Sequence, residues 1–175
     1  MPISEHMSAL RVKVGHDLLM MPSAAGIVRD AQGWVLLQRR ADNGLWSVPG
    51  GALDPDEQPA QACIREVYEE TGLVVRPVQV LSVETHPVTS YPNGDVAQAI
   101  VTVFECVVIG GELGGLDGES LELRFFAPDS LPASSFVQRF LPEVFEDGRV
   151  SAAFAWDASW LPTDSVPDAG SIATT

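Results

Sequence analysis

The stretch Gly51–Leu73, GALDPDEQPAQACIREVYEETGL, decides how the rest of the chain is read. It opens on a glycine turn, passes an acidic loop and enters a segment carrying Arg65, Glu66, Glu69 and Glu70. Pro59 suits the first turn of a helix, where a missing N–H costs nothing, and Gly72 stands where a left-handed residue ends one. The segment therefore predicts a helix over 59–71, with Ala60, Ile64, Val67 and Thr71 as its inward face. Glu66 and Glu69 are three apart and Glu66 and Glu70 four apart, which puts the three carboxylates on one helix face. Like charges so close repel, and stability gives no reason for them. A hard divalent cation that takes oxygen ligands does.

Working outward, WSVPGG (46–51) leads into the stretch. Pro49 fixes φ there, and Gly50-Gly51 let the backbone turn and approach a ligand. Upstream, Ala24–Arg29 and Trp34–Gln38 flank the turn Asp30–Gly33 and predict a β-hairpin. Residues 1–9 are expected to fray, and the alternation of Leu10, Val12 and Val14 suggests an edge strand in 10–21, punctuated by Pro22-Ser23. Downstream, 73–85 is β-rich, with Pro77 pointing to an edge or a bulge. Residues 86–95 (HPVTSYPNGD) are a loop, 96–109 the longest β pattern, 110–118 a glycine-rich loop and 121–127 another strand. Residues 133–147 predict a second amphipathic helix, and 154–160 an aromatic cap. The order of strands, helix, strands, helix points to an α/β/α sandwich with a mixed sheet between helices. The chain is expected to form one domain over 1–160, with a disordered tail over 161–175.

Composition bounds the function. With 175 residues, 46% hydrophobic and 19% charged, the chain is globular. A net charge of -14 disfavours long nucleic acid, which needs clustered Lys and Arg. An anionic substrate would need metal ions and a few local arginines. The two cysteines, Cys63 and Cys106, form no secreted framework and suit small core positions. No apolar run of membrane length and no signal peptide is evident, so a cytoplasmic protein without membrane contact is expected. His6, His16 and His86 show no metal-ligand spacing.

The stretch resembles the Nudix box of the Nudix hydrolase family at Gly51, Glu57, Arg65, Glu66, Val67, Glu69, Glu70, Gly72 and Leu73. The resemblance in pattern extends loosely over 24–131. It implies a metal-dependent hydrolase that cleaves a diphosphate linkage in a nucleoside diphosphate derivative. Candidate substrates are a nucleoside triphosphate, an ADP-ribose-like compound or a dinucleoside polyphosphate. Carried over by position, it implies Mg²⁺, or else Mn²⁺, held by Glu66, Glu69, Glu70 and the carbonyl of Gly50. Glu57 and Arg65 would support the loop, with Glu57 also open as an outer metal ligand. The general base stays open between a box glutamate and a later one, Glu119 or Glu122.

Arg40 ends a strand beside the presumed site and is a candidate phosphate contact. Tyr91 is a candidate for stacking on a base, and Asp95 or Asn93 for reading its edge. Trp46 more readily packs its own loop. The partner is then a small-molecule nucleotide, and a homodimer is left open. The alternative is a non-catalytic Nudix-like nucleotide-binding regulatory domain. The complete set of box glutamates argues against it. An isopentenyl diphosphate isomerase of the same superfamily would need a suitably placed catalytic cysteine.

Overall fold

The computed structural model describes residues 5–91, 93–115, 118–133 and 152. Helix α1 spans Glu5–Val14, and strands β1 (Leu19–Val28), β2 (Val35–Arg40), β3 (Trp46–Ser47) and β4 (Gly50–Ala52) follow. Helix α2 covers Pro59–Thr71, then come β5 (Leu73–Thr85), β6 (Thr89–Ser90), β7 (Val96–Gly111) and β8 (Ser120–Phe126). The helix bounds agree with the punctuation of the sequence. Pro59 opens α2, the Gln61 side chain accepts the N–H of Gln58 at 2.8 Å, and Gly72 closes the helix at φ 75°.

Strands β4, β1, β7 and β5 lie side by side in that order, with β6 also on β7, while β3, β2 and β8 form a second sheet. The β1–β7 pair is parallel and the others are antiparallel, so the larger sheet is mixed. β5 is the edge strand of that order, and its register slips on either side of Pro77. A proline costs little there because an edge has no second ladder to lose.

Three expectations need correction. The Asp30–Gly33 turn exists, with Asp30 Oδ1 accepting the N–H groups of Gln32 and Trp34 at 2.9 Å each. Yet the flanking strands pair only through a single Arg29–Val35 bridge and part into different sheets. β1 already has β7 on one side and β4 on the other, so it has no free edge for β2. At the N-terminus, residues 5–14 are helical, neither frayed nor a strand. Val12 is 88% exposed and no α1 residue is buried, so the apolar alternation there is unused. Pro22 lies inside β1, just before the ladder to β4 begins at Ser23. Its carbonyl still accepts the N–H of Leu53 at 3.0 Å.

The third correction concerns the phase of α2. Its buried side chains are Ala62, Cys63, Glu66, Val67, Glu70 and Thr71, whereas Ile64 is exposed. This face packs against β1 and β5, joined by Ala24, Val28, Leu36 and Phe104. Gly26 makes the approach possible, because a Cβ there would stand 2.7 Å from Val67 Cγ2. Cys63 and Cys106 are unbridged and face one another under the helix with their sulfurs 3.6 Å apart. Their mutual hydrogen bond and burial push the Cys63 thiol up, out of the nucleophilic range.

A second core cluster joins Ala25, Ile27 and Val101 of the larger sheet to Val35, Leu37 and Phe126 of the smaller one, with Trp46 and Leu131 at its margin. Each fully buried aliphatic side chain contributes about 1.5–3 kcal/mol. Trp46 packs edge-on against Phe126, with ring centroids 4.8 Å apart. The helix expected over 133–147 (beyond Ala133), the aromatic cap at 154–160 and the tail at 161–175 lie outside the described residues.

Candidate functional site

α2 runs past the Gly50-Gly51 turn and lays two acids against it. Glu70 is 1% exposed and Glu66 8% exposed. Glu70 Oε2 accepts the N–H of Gly50 at 2.7 Å. Gly51 lies flat on the Glu66 carboxylate, where a Cβ would overlap it. The paired glycines thus let backbone meet carboxylate at contact distance. Glu69 is different, since its side chain is 48% exposed. At 100° per residue, positions 66 and 70 lie about 40° apart, while 69 is about 60° from 66 on the other side and so about 100° from 70, on the flank.

Arg65 ties this corner together. It forks onto Glu57 through Nε at 3.0 Å and Nη2 at 2.9 Å, and Nη2 also donates to the carbonyl of Ala52 at 3.0 Å. Its Nη1 reaches Glu66 at 2.8 Å and Glu69 at 3.2 Å. The fork holds the Glu57 carboxyl below its ordinary range. One guanidinium therefore pins the acidic loop to the helix and partly compensates two more carboxylates.

Compensation runs out at Glu70. Burial pushes it up to about 8, and the neighbouring charge of Glu66 adds to the shift. Burial likewise raises Glu66, against the pull of Arg65. Two carboxyls side by side in a dry place stay charged at neutral pH only with further positive charge nearby. The donor set is carboxylate and backbone oxygen, so a hard divalent cation fits it. Among the described residues, no three His, Cys, Asp or Glu side chains already converge on one point. Glu66 and Glu69 both turn toward Arg65.

The remaining candidates are placed as follows. The charge of Glu119 reaches Glu66 and helps raise it, and the Glu119 carbonyl accepts the N–H of Ala41 at 2.7 Å. Glu122 instead pairs with Arg39 at 3.6 Å and Arg124 at 3.9 Å on the outer side of β8. Arg40 forks onto Asp42 at 2.9 and 2.7 Å, and feels the charge of Glu70. Tyr91 is 40% exposed.

Asp95 is 8% exposed and fully engaged. His16 Nδ1 lies 2.8 Å from Oδ1, Asn93 Nδ2 donates to Oδ2 at 2.9 Å, and Arg11 Nε stands at 3.5 Å. Arg11 also donates to the carbonyl of Val96 at 2.9 Å, so the end of α1 grips the 91–96 loop through Asp95.

Sequence reasoning missed Gln38, Ser120, Asp42, Arg11 and His16. The alternation of β2 could have found Gln38, because 36, 38 and 40 share one strand face. Arg11 and His16 gave no such signal, since α1 and the turn after it were read as a frayed end and an edge strand.

A family model described as NUDIX domain matches residues 19–147. The chain belongs to the NUDIX family. It is 36% identical over 109 residues to a MutT-like protein of Streptomyces ambofaciens, covering 62% of this chain and 65% of that one. It is also 36% identical over 126 residues to an ADP-ribose pyrophosphatase of Methanocaldococcus jannaschii, covering 69% of this chain and 71% of that protein. The solved structure of a MutT protein from Methanosarcina mazei superposes with a TM-score of 0.57 at 27% identity, over 74% of this chain and 99% of the other. The matched part thus spans about two thirds of the curated relatives' length. The NUDIX fold accounts for the mixed sheet with α2 on its face. Among the described residues, no helix is long and apolar enough to cross a membrane.

Proposed function

We propose that this NUDIX protein is a metal-dependent hydrolase that cleaves a diphosphate linkage in a small nucleoside diphosphate derivative. The observation that carries the reading is the buried pair Glu66 and Glu70 against the Gly50-Gly51 turn. The relative named ADP-ribose pyrophosphatase supports the bond class. Glu66, Glu69, Glu70 and the Gly50 carbonyl would hold Mg²⁺, with Mn²⁺ as the substitute. The bound ion supplies neutralisation of the diphosphate and a water of lowered pKa.

The chain's own residues do the rest. The Arg65–Glu57 fork keeps the acidic loop against α2, so the carboxylates stay in register. Glu119, within electrostatic reach of Glu66, is a candidate to accept a proton from the attacking water. Arg40 exchanges its Asp42 partner for a substrate phosphate, which its planar fork suits. Tyr91 offers a half-exposed ring to the nucleoside. Asp95 supports the loop, because its oxygens are already taken by His16, Arg11 and Asn93.

The net charge of -14 fits a small substrate better than long nucleic acid. A single domain over 1–160 and a cytoplasmic location complete the proposal, and sheet-edge pairing leaves a homodimer as a further element of it. The test is a panel of nucleoside triphosphates, ADP-ribose-like compounds and dinucleoside polyphosphates with Mg²⁺ or Mn²⁺, with products read by chromatography. Release of a monophosphate-containing product only with metal supports the proposal. Nucleotide binding without turnover across the panel would overturn it in favour of a regulatory module.

A further inference from the structure

Gln38 is a fully buried side chain. Its Nε2 has no hydrogen-bond partner of good geometry among the described residues. Native structures rarely leave a buried amide donor unmatched, so the exception asks for a reason. Its place supplies one. Along β2 the odd positions Val35 and Leu37 enter the core away from α2, while Leu36 enters the core beneath it. Gln38 and Arg40 continue that second face toward Glu70, and both favour its charged form.

A Glu70 carboxylate that ligates a cation is ionised and offers acceptors only, which fixes the amide with its NH₂ toward Glu70. Ser120 Oγ lies 2.6 Å from Gln38 Oε1 and 3.0 Å from the Glu70 carbonyl oxygen. With the NH₂ group turned to that carboxylate, Oε1 is the end left facing Ser120, and it accepts the single hydroxyl proton at the shorter of the two distances. Glu70 is then approached by two neutral donors, the Gly50 N–H on the turn and the Gln38 amide. A lysine or arginine at position 38 would neutralise the carboxylate and repel a divalent ion. A neutral buried donor orients the carboxylate without competing for its charge.

We propose that Gln38 is a positioning residue for cation binding. Its amide, oriented by Ser120, holds the Glu70 carboxylate toward the Gly50-Gly51 turn, ready to ligate. This rests on the reading of Glu66 and Glu70 as metal ligands. If Gln38 were only core filling, an apolar side chain of similar size would serve as well.

The test measures Mn²⁺ binding to the full chain by electron paramagnetic resonance of the free ion, without nucleotide. Gln38→Leu should weaken Mn²⁺ binding by about 10- to 100-fold, the usual cost of losing an outer-shell partner. Its thermal midpoint in EDTA should stay at or above that of the wild type. Gln38→Met provides the same loss with an unbranched chain should the leucine variant misfold. Ser120→Ala should weaken binding in the same direction by a smaller factor, and the double variant should be no worse than Gln38→Leu, because Ser120 acts through the amide. Mn²⁺ affinity within about twofold of wild type in Gln38→Leu, or losses that simply multiply in the double variant, would overturn the proposal. A wild-type protein that binds no Mn²⁺ would overturn the metal reading itself, which the variants alone cannot do.

Discussion

Glu70 and Asp95 are both covered acids, and they behave in opposite ways. Glu70 sits deep, meets neutral donors, another carboxylate and the electrostatic pull of Arg40, and is still pushed up to about 8. Asp95 lies under a thin cover and meets His16, Asn93 and Arg11, which hold it below its ordinary range. The second acid is complete as it stands and serves the fold by joining α1 to the 91–96 loop. The first is incomplete within the protein, so below its raised pKa a proton compensates its burial, and in the proposed reading a bound cation does. In the proposed reading, that asymmetry separates a functional carboxylate from a structural one better than burial alone.

The most severe way to break the comparison is to remove the charge of Glu70. Glu70→Gln should lower kcat/KM by about three orders of magnitude, the scale seen when one electrostatic element of a site is lost. Its thermal midpoint without metal should not fall, because an uncompensated buried charge stabilises nothing. A variant with full activity would sink the assignment. EDTA should abolish wild-type turnover and Mg²⁺ restore it. Mg²⁺ should also raise the wild-type thermal midpoint and leave that of a Glu66→Gln/Glu70→Gln double variant unchanged.

Next in size is Arg65→Ala, which strands Glu57 and Glu66 together. Urea unfolding should register a loss of about 1–3 kcal/mol, discounted because the guanidinium is partly exposed. Unchanged stability would show that the fork contributes nothing to the corner.

Asp95→Asn should act the other way round from Glu70→Gln, with lower stability and kcat nearly unchanged. Amide hydrogen exchange should rise around Val96 and the end of α1. The sign of its pH dependence follows from the depressed native pKa. The stabilisation is fully present above the ordinary value of 3.8 and disappears as pH falls through the lower native value. The wild-type and variant midpoints should therefore converge in strong acid. Convergence at neutral pH instead would remove Asp95 from the structural side of the comparison.

Glu119→Gln should have the smallest effect of these if a box glutamate takes the proton, about tenfold or less, and 10²–10⁴-fold if Glu119 does. Single-turnover kinetics with saturating metal would decide between them.

Much of the central machinery was legible in residue order. Pro59 and Gly72 marked the ends of α2 because ring geometry and a left-handed terminus act locally. β5 and β7 were legible from their β-rich runs, and Pro77 from its missing donor. The acids at 66, 69 and 70 were visible as a crowd. The rotation of α2 was not, because two of its buried positions are glutamates and hydropathy points the helix elsewhere, toward Ile64. α1 was misread because its alternating valines look strand-like, although Val12 is exposed and no α1 side chain is fully buried.

The sequence by itself determined the family, the bond class that family implies and the cluster of acids able to serve it. Those depend on spacing along a single helix and one turn. Only the tertiary structure decided which acids are compensated. Charge compensation depends on groups far apart in sequence, such as Gln38 and Ser120 beside Glu70, or Arg11 and His16 beside Asp95. Burial raises a carboxyl and a nearby cation lowers it, and neither distance is written in the order of residues.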